Sequence, residues 1–370
     1  MKVCLIAPIP PFRGGIAKYC YSLAQELEKR HELLLLSYRR QYPTLLYGDK
    51  SQLDPAYDHK QIAREFRCLS YDVDSLNIVT WLEAVRRIDA FSPDVVILPW
   101  WVTYWTPLYL WLMRQLRKRG TACLLLCINV YEHEDSLLKK MLARVVLRRA
   151  DMMIVHSSQE DAELRSMNSK ACIQTHLLPV FEYEIPPLTY SCSTYKLLFF
   201  GFVRPYKGLD ILLKAVAMLT DLDIRLHIAG EFWQGSEECR KLIQELGIAD
   251  RVEVVDRYVT DEEMTNFFIE ADLVVLPYRS SKTSGVIATS YGFGKPVLVT
   301  DVGGFHEVVM DGCTGKLVPP GDPQALAEGV RWFYGNRQFD FAGNIAALVE
   351  QQMSWRSLVN TIEGMVASVA

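Results

Sequence analysis

Two cations, Arg204 and Lys207, and a small-residue turn at Ser284-Gly285 are the residues of this chain best suited to hold phosphate. The cations stand three apart, so on a helical first turn they point the same way. Two cations aimed at one turn neutralise a diphosphate. If the diphosphate is a leaving group, charge grows on it in the transition state and the cations bind it more strongly there. Ser284-Gly285 stands just before Val286–Phe293, where a helix can begin, and the unpaired N–H groups of a helix start seat the same group. Gly14-Gly15 repeats the layout ahead of a helix carrying Ile16, Tyr19, Leu23 and Leu27, without the G-x-G-x-x-G spacing of a dinucleotide site. These glycines either let backbone approach a ligand or serve a tight turn with positive φ. His133, between Glu132 and Glu134, is the acid/base candidate. No nucleophile elbow, H-E-x-x-H or Walker lysine loop occurs, and the seven histidines do not cluster. The triplets Asp72-Val73-Asp74 and Asp221-Leu222-Asp223 have no further ligands near them and read as turns, so no metal is expected.

The elements that must position these residues alternate strand and helix twice. Lys2–Ile9, Glu32–Ser37, Asp94–Pro99, Ala122–Val130 and Asp151–His156 are apolar strand-like runs with helical patterns between several of them. Pro179 to Thr194, with Pro186-Pro187, reads as a linker, after which the alternation restarts at Lys196–Phe200. The fold class is α/β: two Rossmann-like domains, 1–188 and 189–350, whose parallel sheets face a central cleft, with a last segment 351–370. In the second array the strand ends carry Gly201, Gly230-Glu231, Arg257-Tyr258, Ser280 to Gly285 (with Thr283) and Asp301 to Gly304. In the first, Trp100, Trp101 and Tyr104 follow a strand where α/β proteins bind ligands. The segment continues into Arg114, Arg117, Lys118 and Arg119, and Leu138–Arg149 forms a second basic amphipathic stretch. Both suit either a membrane surface or ordinary core aromatics with solvated cations.

The chain has 370 residues, half of them hydrophobic, a formal charge of −4 and nine cysteines without metal-ligand spacing. These bounds suit two globular domains with reduced thiols and argue against a general nucleic-acid binder. No apolar run approaches the ~20 residues of a membrane span, and the start is not patterned as a signal peptide. The expected location is cytoplasmic, including a peripheral seat on the inner membrane face.

The stretches GGIAKY, GFVRPYKGLDILLKA, IAGEFW, ADLVVLPYRS and SGVIATSYGFGKPVLVTDVGGFHEVVMDGCTGKLVPPGDPQALAE resemble the retaining, nucleotide-sugar-dependent glycosyltransferases of family 4, which have the GT-B fold. The resemblance implies a donor bound mainly by the C-terminal domain and an acceptor bound mainly by the N-terminal one. It further implies no essential metal, no cofactor beyond the nucleotide sugar as co-substrate, and a last helix crossing back to the N-terminal domain. By motif, Gly14 and Gly15 would approach the diphosphate or sugar, and Arg204 and Lys207 would bind the diphosphate. Ser284, Gly285 and Val286 would contact it, and Tyr258 would lie by the base. Two glutamates common in the family align with Ser281 and Thr289; Thr289 offers the ribose one hydroxyl in place of a carboxylate. Phe202 stands where an arginine is usual, with Arg204 two residues on, and Ile128 stands where relatives carry histidine.

The implied function is transfer of a hexose-type sugar, with a uridine-linked donor favoured, to a glycan or lipid-linked glycan in cell-surface polysaccharide or glycolipid assembly. The rival, drawn from Ile128, Ser281 and Thr289, is a catalytically silent subunit that binds the nucleotide sugar.

Overall fold

The computed structural model describes residues 1–43, 52–54, 57, 59–131, 136–181, 183 and 194–369. His133 lies outside the described residues. The chain forms two compact units, Met1–Leu177 with Trp355–Ala370, and Leu178–Ser354.

The first unit runs β1 (Lys2–Ile6), α1 (Gly15–Arg30), β2 (Glu32–Arg40), α2 (His59–Ala63), β3 (Leu69–Asp74), α3 (Ile78–Phe91), β4 (Val95–Trp100), α4 (Thr106–Arg119), β5 (Ala122–Cys127), α5 (Leu137–Leu147), β6 (Met152–Val155), α6 (Ser158–Met167) and β7 (Cys172–Thr175). Its strands pair in parallel in the order β3-β2-β1-β4-β5-β6-β7. Helices cover both faces of such a sheet, which is why central strands such as β4 (VVILPW) are apolar throughout and buried at every residue. Asn77 caps α3 through Val79 N–H, and Ser136 caps α5 through Lys139 N–H. The first acidic triplet is not a turn. Asp72 to Asp74 end the edge strand β3, where one side of the backbone meets solvent and carboxylates find cations: Arg40 grips Asp74 with 2.8 Å bonds, and Arg87 pairs with Asp72. Asp221 does lie in a turn, paired with Arg331.

The second unit continues β8 (Tyr195–Phe200), α7 (Leu209–Met218), β9 (Ile224–Ala229), α8 (Ser236–Glu245), β10 (Val252–Val255), α9 (Asp261–Glu270), β11 (Leu273–Leu276), α10 (Gly285–Gly292), β12 (Val297–Thr300), α11 (Phe305–Val308), β13 (Gly315–Val318), α12 (Pro323–Gly335) and α13 (Phe341–Gln352). The strand order is β10-β9-β8-β11-β12-β13, again parallel. Both sheets have the Rossmann-like order expected from the alternation. Each reverses direction beside its first strand, between β1 and β4 and between β8 and β11. Such switch points open a crevice at the strands' C-terminal ends, where ligands of α/β proteins bind.

The last helix, α14 (Trp355–Val369), belongs to the first unit. The Trp355 ring packs edge-on against Tyr19 of α1 at 4.9 Å, Arg30 donates to Asn360 and Glu363, and His176 bonds the Ser357 hydroxyl at 2.8 Å. Among the described residues no helix is long and apolar enough to cross a membrane. The eight described cysteines are free; Cys4, Cys20, Cys127 and Cys239 are buried, and Cys68 and Cys313 are exposed.

Candidate functional site

The switch point of the second unit gathers most of the expected donor residues. After β8 the backbone turns through Gly201 at φ +93°, and Pro205–Lys207 form one tight turn. Gly208 follows at φ +67°, and a Cβ there would stand 2.1 Å from the Pro277 carbonyl, so the loop after β8 lies directly on the end of β11. Arg279 fastens the same loop. Its backbone N–H donates to the Tyr206 carbonyl and its guanidinium to the Pro205 carbonyl, all at 2.7 Å, and it also pairs with Asp210.

This arrangement folds Lys207 inward. A methyl group on Gly201 would stand 3.2 Å from the Lys207 ammonium and 3.8 Å from Val286 Cγ2, so the cation, the glycine and the start of α10 share one spot. Lys207 is only 7% exposed, and its ammonium stands 5.4 Å from the centre of the buried Tyr278 ring. Burial, and then the charge of Arg204, bring its pKa down to about 8. Among the described residues it forms no ion pair with a carboxylate. A buried cation held beside a helix start, with no counter-ion among the described residues, is prepared to receive an anion.

Arg204 does not share that environment. It is extended backbone, not part of a helical turn, and its guanidinium lies 4.0 Å over the Trp233 ring. Phe202 packs edge-on against the same Trp233 ring at 5.5 Å. The phenylalanine in the arginine's usual place therefore belongs to an aromatic shelf that carries the displaced Arg204. A stack of this kind contributes roughly 0.5–1 kcal/mol where exposed. Trp233 and Arg279 were not among the expected site residues; the tryptophan closing IAGEFW was the available signal.

Ser284 caps α10 by accepting from Val286 N–H at 3.2 Å. Ser281, in the place of a family glutamate, donates to the Thr283 carbonyl at 2.8 Å and so shapes the loop. Gly285 is exposed, with open space where a Cβ would stand. Thr289 spends its hydroxyl on the Gly285 carbonyl at 2.9 Å, one helical turn back. Ser284→Ala should lower the melting free energy by about 1 kcal/mol, the ordinary loss for a cap. Urea unfolding followed by circular dichroism measures it.

Glu231 is half-buried on the loop after β9, and its carbonyl accepts from Val203 N–H. Tyr258 is 63% exposed after the edge strand β10. Two strand spacings separate β10 from β8, about 10 Å.

In the first unit Gly14 takes φ +102° as the N-cap of α1, and Gly15 opens the helix, both exposed. Gln52 and Asp54 hydrogen-bond Arg13 and Pro11 immediately before them. Trp100 and Trp101 are core residues: Trp100 is 1% exposed and donates to the Val130 carbonyl, while Trp101 donates to the Tyr42 hydroxyl. They can shape a site wall but offer an acceptor little surface. Tyr104 is half-buried, with its hydroxyl on Ser75. Among the described residues no His, Cys, Asp or Glu cluster could hold a metal ion.

Two family models match the chain: "Glycosyl transferase 4-like domain" over residues 14–179 and "Glycosyl transferases group 1" over residues 194–336. D-inositol 3-phosphate glycosyltransferase of Streptomyces coelicolor is 35% identical over 175 residues, which is 44% of this chain and 38% of that protein. The chain spans less than half the length of the curated relatives it matches first. Among solved structures, Anabaena HepE in complex with UDP superposes with a TM-score of 0.74 at 17% identity over 100% of both chains. Sucrose-phosphate synthase from Thermosynechococcus elongatus gives 0.71 at 18% identity over 100% of this chain and 98% of that one. With the two matched segments accounting for both parallel-sheet units, this chain belongs to the group 1 glycosyl transferases, family 4, and has their GT-B fold.

Proposed function

We propose that the chain is a retaining glycosyltransferase that takes a sugar from a nucleoside diphosphate donor, uridine-linked, and delivers it to a glycan or lipid-linked glycan of cell-surface assembly. The observation that carries the reading is the buried ammonium of Lys207, without a carboxylate partner among the described residues, beside Gly201 and the N-terminus of α10. An ammonium and helix N–H groups at one point stabilise a departing diphosphate, and they do so most as its charge develops. Tyr258, on the loop after β10 two strands from β8, is exposed for stacking under a base. The membership in the family and the UDP seen bound in Anabaena HepE support the donor class.

Among the residues matched by motif, no carboxylate stands as a nucleophile. Displacement on the face the diphosphate leaves from, with a phosphate oxygen taking the acceptor's proton, therefore suits the residues better than a double displacement. Retention follows from that geometry. No metal or cofactor enters the scheme.

The binding subunit without turnover is favoured by one observation: the Thr289 hydroxyl donates its proton to its own helix, so it offers a ribose one acceptor oxygen where a carboxylate would offer two. Incubating the purified chain with UDP- and GDP-linked sugars and measuring nucleoside diphosphate release separates the two. Release from a UDP-sugar supports the enzyme. Tight UDP binding with no release from any donor, with or without glycan acceptors, would falsify it in favour of the silent subunit.

A further inference from the structure

The outward side of α3, α4 and α5 shows one repeated gradient. These helices precede parallel strands β4, β5 and β6, so they run in the same direction, and α3 packs on α4 and α4 on α5. On α5 the inward residues are Ala143, Val146 and Leu147, while Leu137, Leu138 and Met141 are exposed at its start, Leu137 at 89%. Arg144 and Arg148 continue that outward stripe to the helix end. On α4 the stripe runs from Pro107 through the half-buried Leu110 and Trp111 to exposed Arg114 and Lys118. On α3 it begins with exposed Ile78, Val79 and Leu82. Apolar side chains thus form a band over three neighbouring first turns, and cations cover the last turns of α4 and α5.

The charge is one-sided along α4 and α5, while α3 carries both signs, Glu83 and Asp89 with Arg86 and Arg87. Segments 106–119 and 136–149 hold nine Lys and Arg and no carboxylate, in a chain whose formal charge is −4. Asp151 and Asp89, from outside those helices, pair with Arg117 and Arg119. Arg114, Lys118 and Arg148 have no ion pair among the described residues. A groove of about 720 Å³ between α4 and α5 is apolar at Leu110 and Trp111 and basic at Arg114, Lys118 and Arg149.

A solvated helix face would not leave seven large aliphatic side chains, Leu76 with them, exposed at one edge. A polyanion site would use the cations and leave the apolar band without a role. An anionic bilayer uses both, because its acyl boundary and its charged headgroups lie side by side. An 11-residue helix is about 16 Å long. Set obliquely, it reaches from the acyl boundary to the headgroup phosphates.

We infer that this face docks the protein on an anionic lipid surface, with the first turns of α3 to α5 entering the acyl boundary and the arginines of the last turns against lipid phosphates. The first turns adjoin the C-terminal strand ends of the first unit, so docking brings the ligand end of that sheet to the membrane. The inference deepens the reading of a lipid-linked acceptor and rests on that reading only for its purpose.

The test is flotation of the full chain with vesicles of phosphatidylcholine alone and vesicles rich in phosphatidylglycerol. Partition into the anionic vesicles, weakened by salt, is expected. Each cation near such a surface strengthens partition about fivefold, so Arg114→Glu with Arg148→Glu should lower it by about 25-fold or more. Leu137→Asp with Met141→Asp should lower it about as far. All four side chains are exposed, so thermal unfolding should be unchanged. Equal binding to both vesicle types, or no effect of the charge reversals, overturns the docking. So does loss with the arginine variant alone, which would mark a polyanion site. Nucleoside diphosphate release with a soluble acceptor is measured alongside: its absence strikes the enzyme reading, while its persistence beside absent vesicle binding strikes only the docking.

Discussion

Replacing Lys207 by methionine should stabilise the ligand-free protein and abolish its binding of uridine diphosphate. The two outcomes have one cause. Lys207 is 7% exposed, its ammonium faces an aromatic ring and a glycine, and it is held at a pKa of about 8 chiefly by burial. The ordinary lysine value is 10.5, so keeping the group charged at pH 7 costs on the order of 3 kcal/mol. Methionine keeps much of the stem's volume without that cost, and a gain of about 1–3 kcal/mol is expected.

The pH dependence has a definite sign. The folded pKa lies below the unfolded one, so between about pH 8 and 10.5 the unfolded chain binds more protons and wild-type stability rises with pH. The methionine variant lacks this rise, and its advantage shrinks across the same window. Uridine diphosphate binding should conversely weaken in the wild type above about pH 8, as the free ammonium loses its proton. Turnover in the variant should fall ~10²-fold or more, since a contact made to growing charge is lost. Urea unfolding at pH 7 and pH 10, with calorimetry for the ligand, measures each part. A variant that is less stable at pH 7 and still binds would remove Lys207 from its role.

The second large effect belongs to Gly303→Ala. Gly303 has φ +53°, and a Cβ there would stand 1.7 Å from the Ser281 carbonyl oxygen, a backbone atom that cannot swing aside. A left-handed alanine costs about 1–2 kcal/mol, and displacing packed backbone adds about 1–3 kcal/mol. The loop from Ser281 to Ser284 must move, and with it the Gly304 N–H bond to the Lys282 carbonyl and the cap on α10. Melting temperature and uridine diphosphate affinity should fall together. Gly285→Ala is the contrast: it meets nothing within 4 Å, so the fold tolerates it, yet a methyl on that exposed helix start should obstruct a diphosphate resting on the backbone. A Gly303→Ala protein with wild-type melting and affinity would show that this glycine does not seat the loop.

How much of this was legible in the residues depended on what each signal reports. Buried parallel strands are continuous apolar runs, so KLLFF or DVVILP announces itself, and two such arrays separated by a proline-rich stretch gave the two sheets. Spacing was a weaker guide. Arg204 and Lys207 were expected to point the same way because three residues make nearly one helical turn, but only the second is in a turn; the first is extended and rests on Trp233. Trp100 and Trp101 looked like an acceptor surface, since residue type at a strand end does not tell which way a ring points, and both are buried. Asp72 and Asp74 resembled a turn because the cations that pair them into an edge strand, Arg87 and Arg40, are distant in sequence. Arg279 could not be assigned for the same reason: its partners at Pro205 and Tyr206 lie over seventy positions earlier.

The placement of α14 has a consequence for the order in which the protein is built. The second unit is one uninterrupted segment, while the first is completed by residues that come after it. During synthesis from the amino end, the later unit has all its strands available before the earlier one receives its final helix. Until then the side of α1 that bears Tyr19 has no Trp355 to cover it, and Arg30 and His176 lack Glu363 and Ser357. The half translated first is therefore the half that matures last.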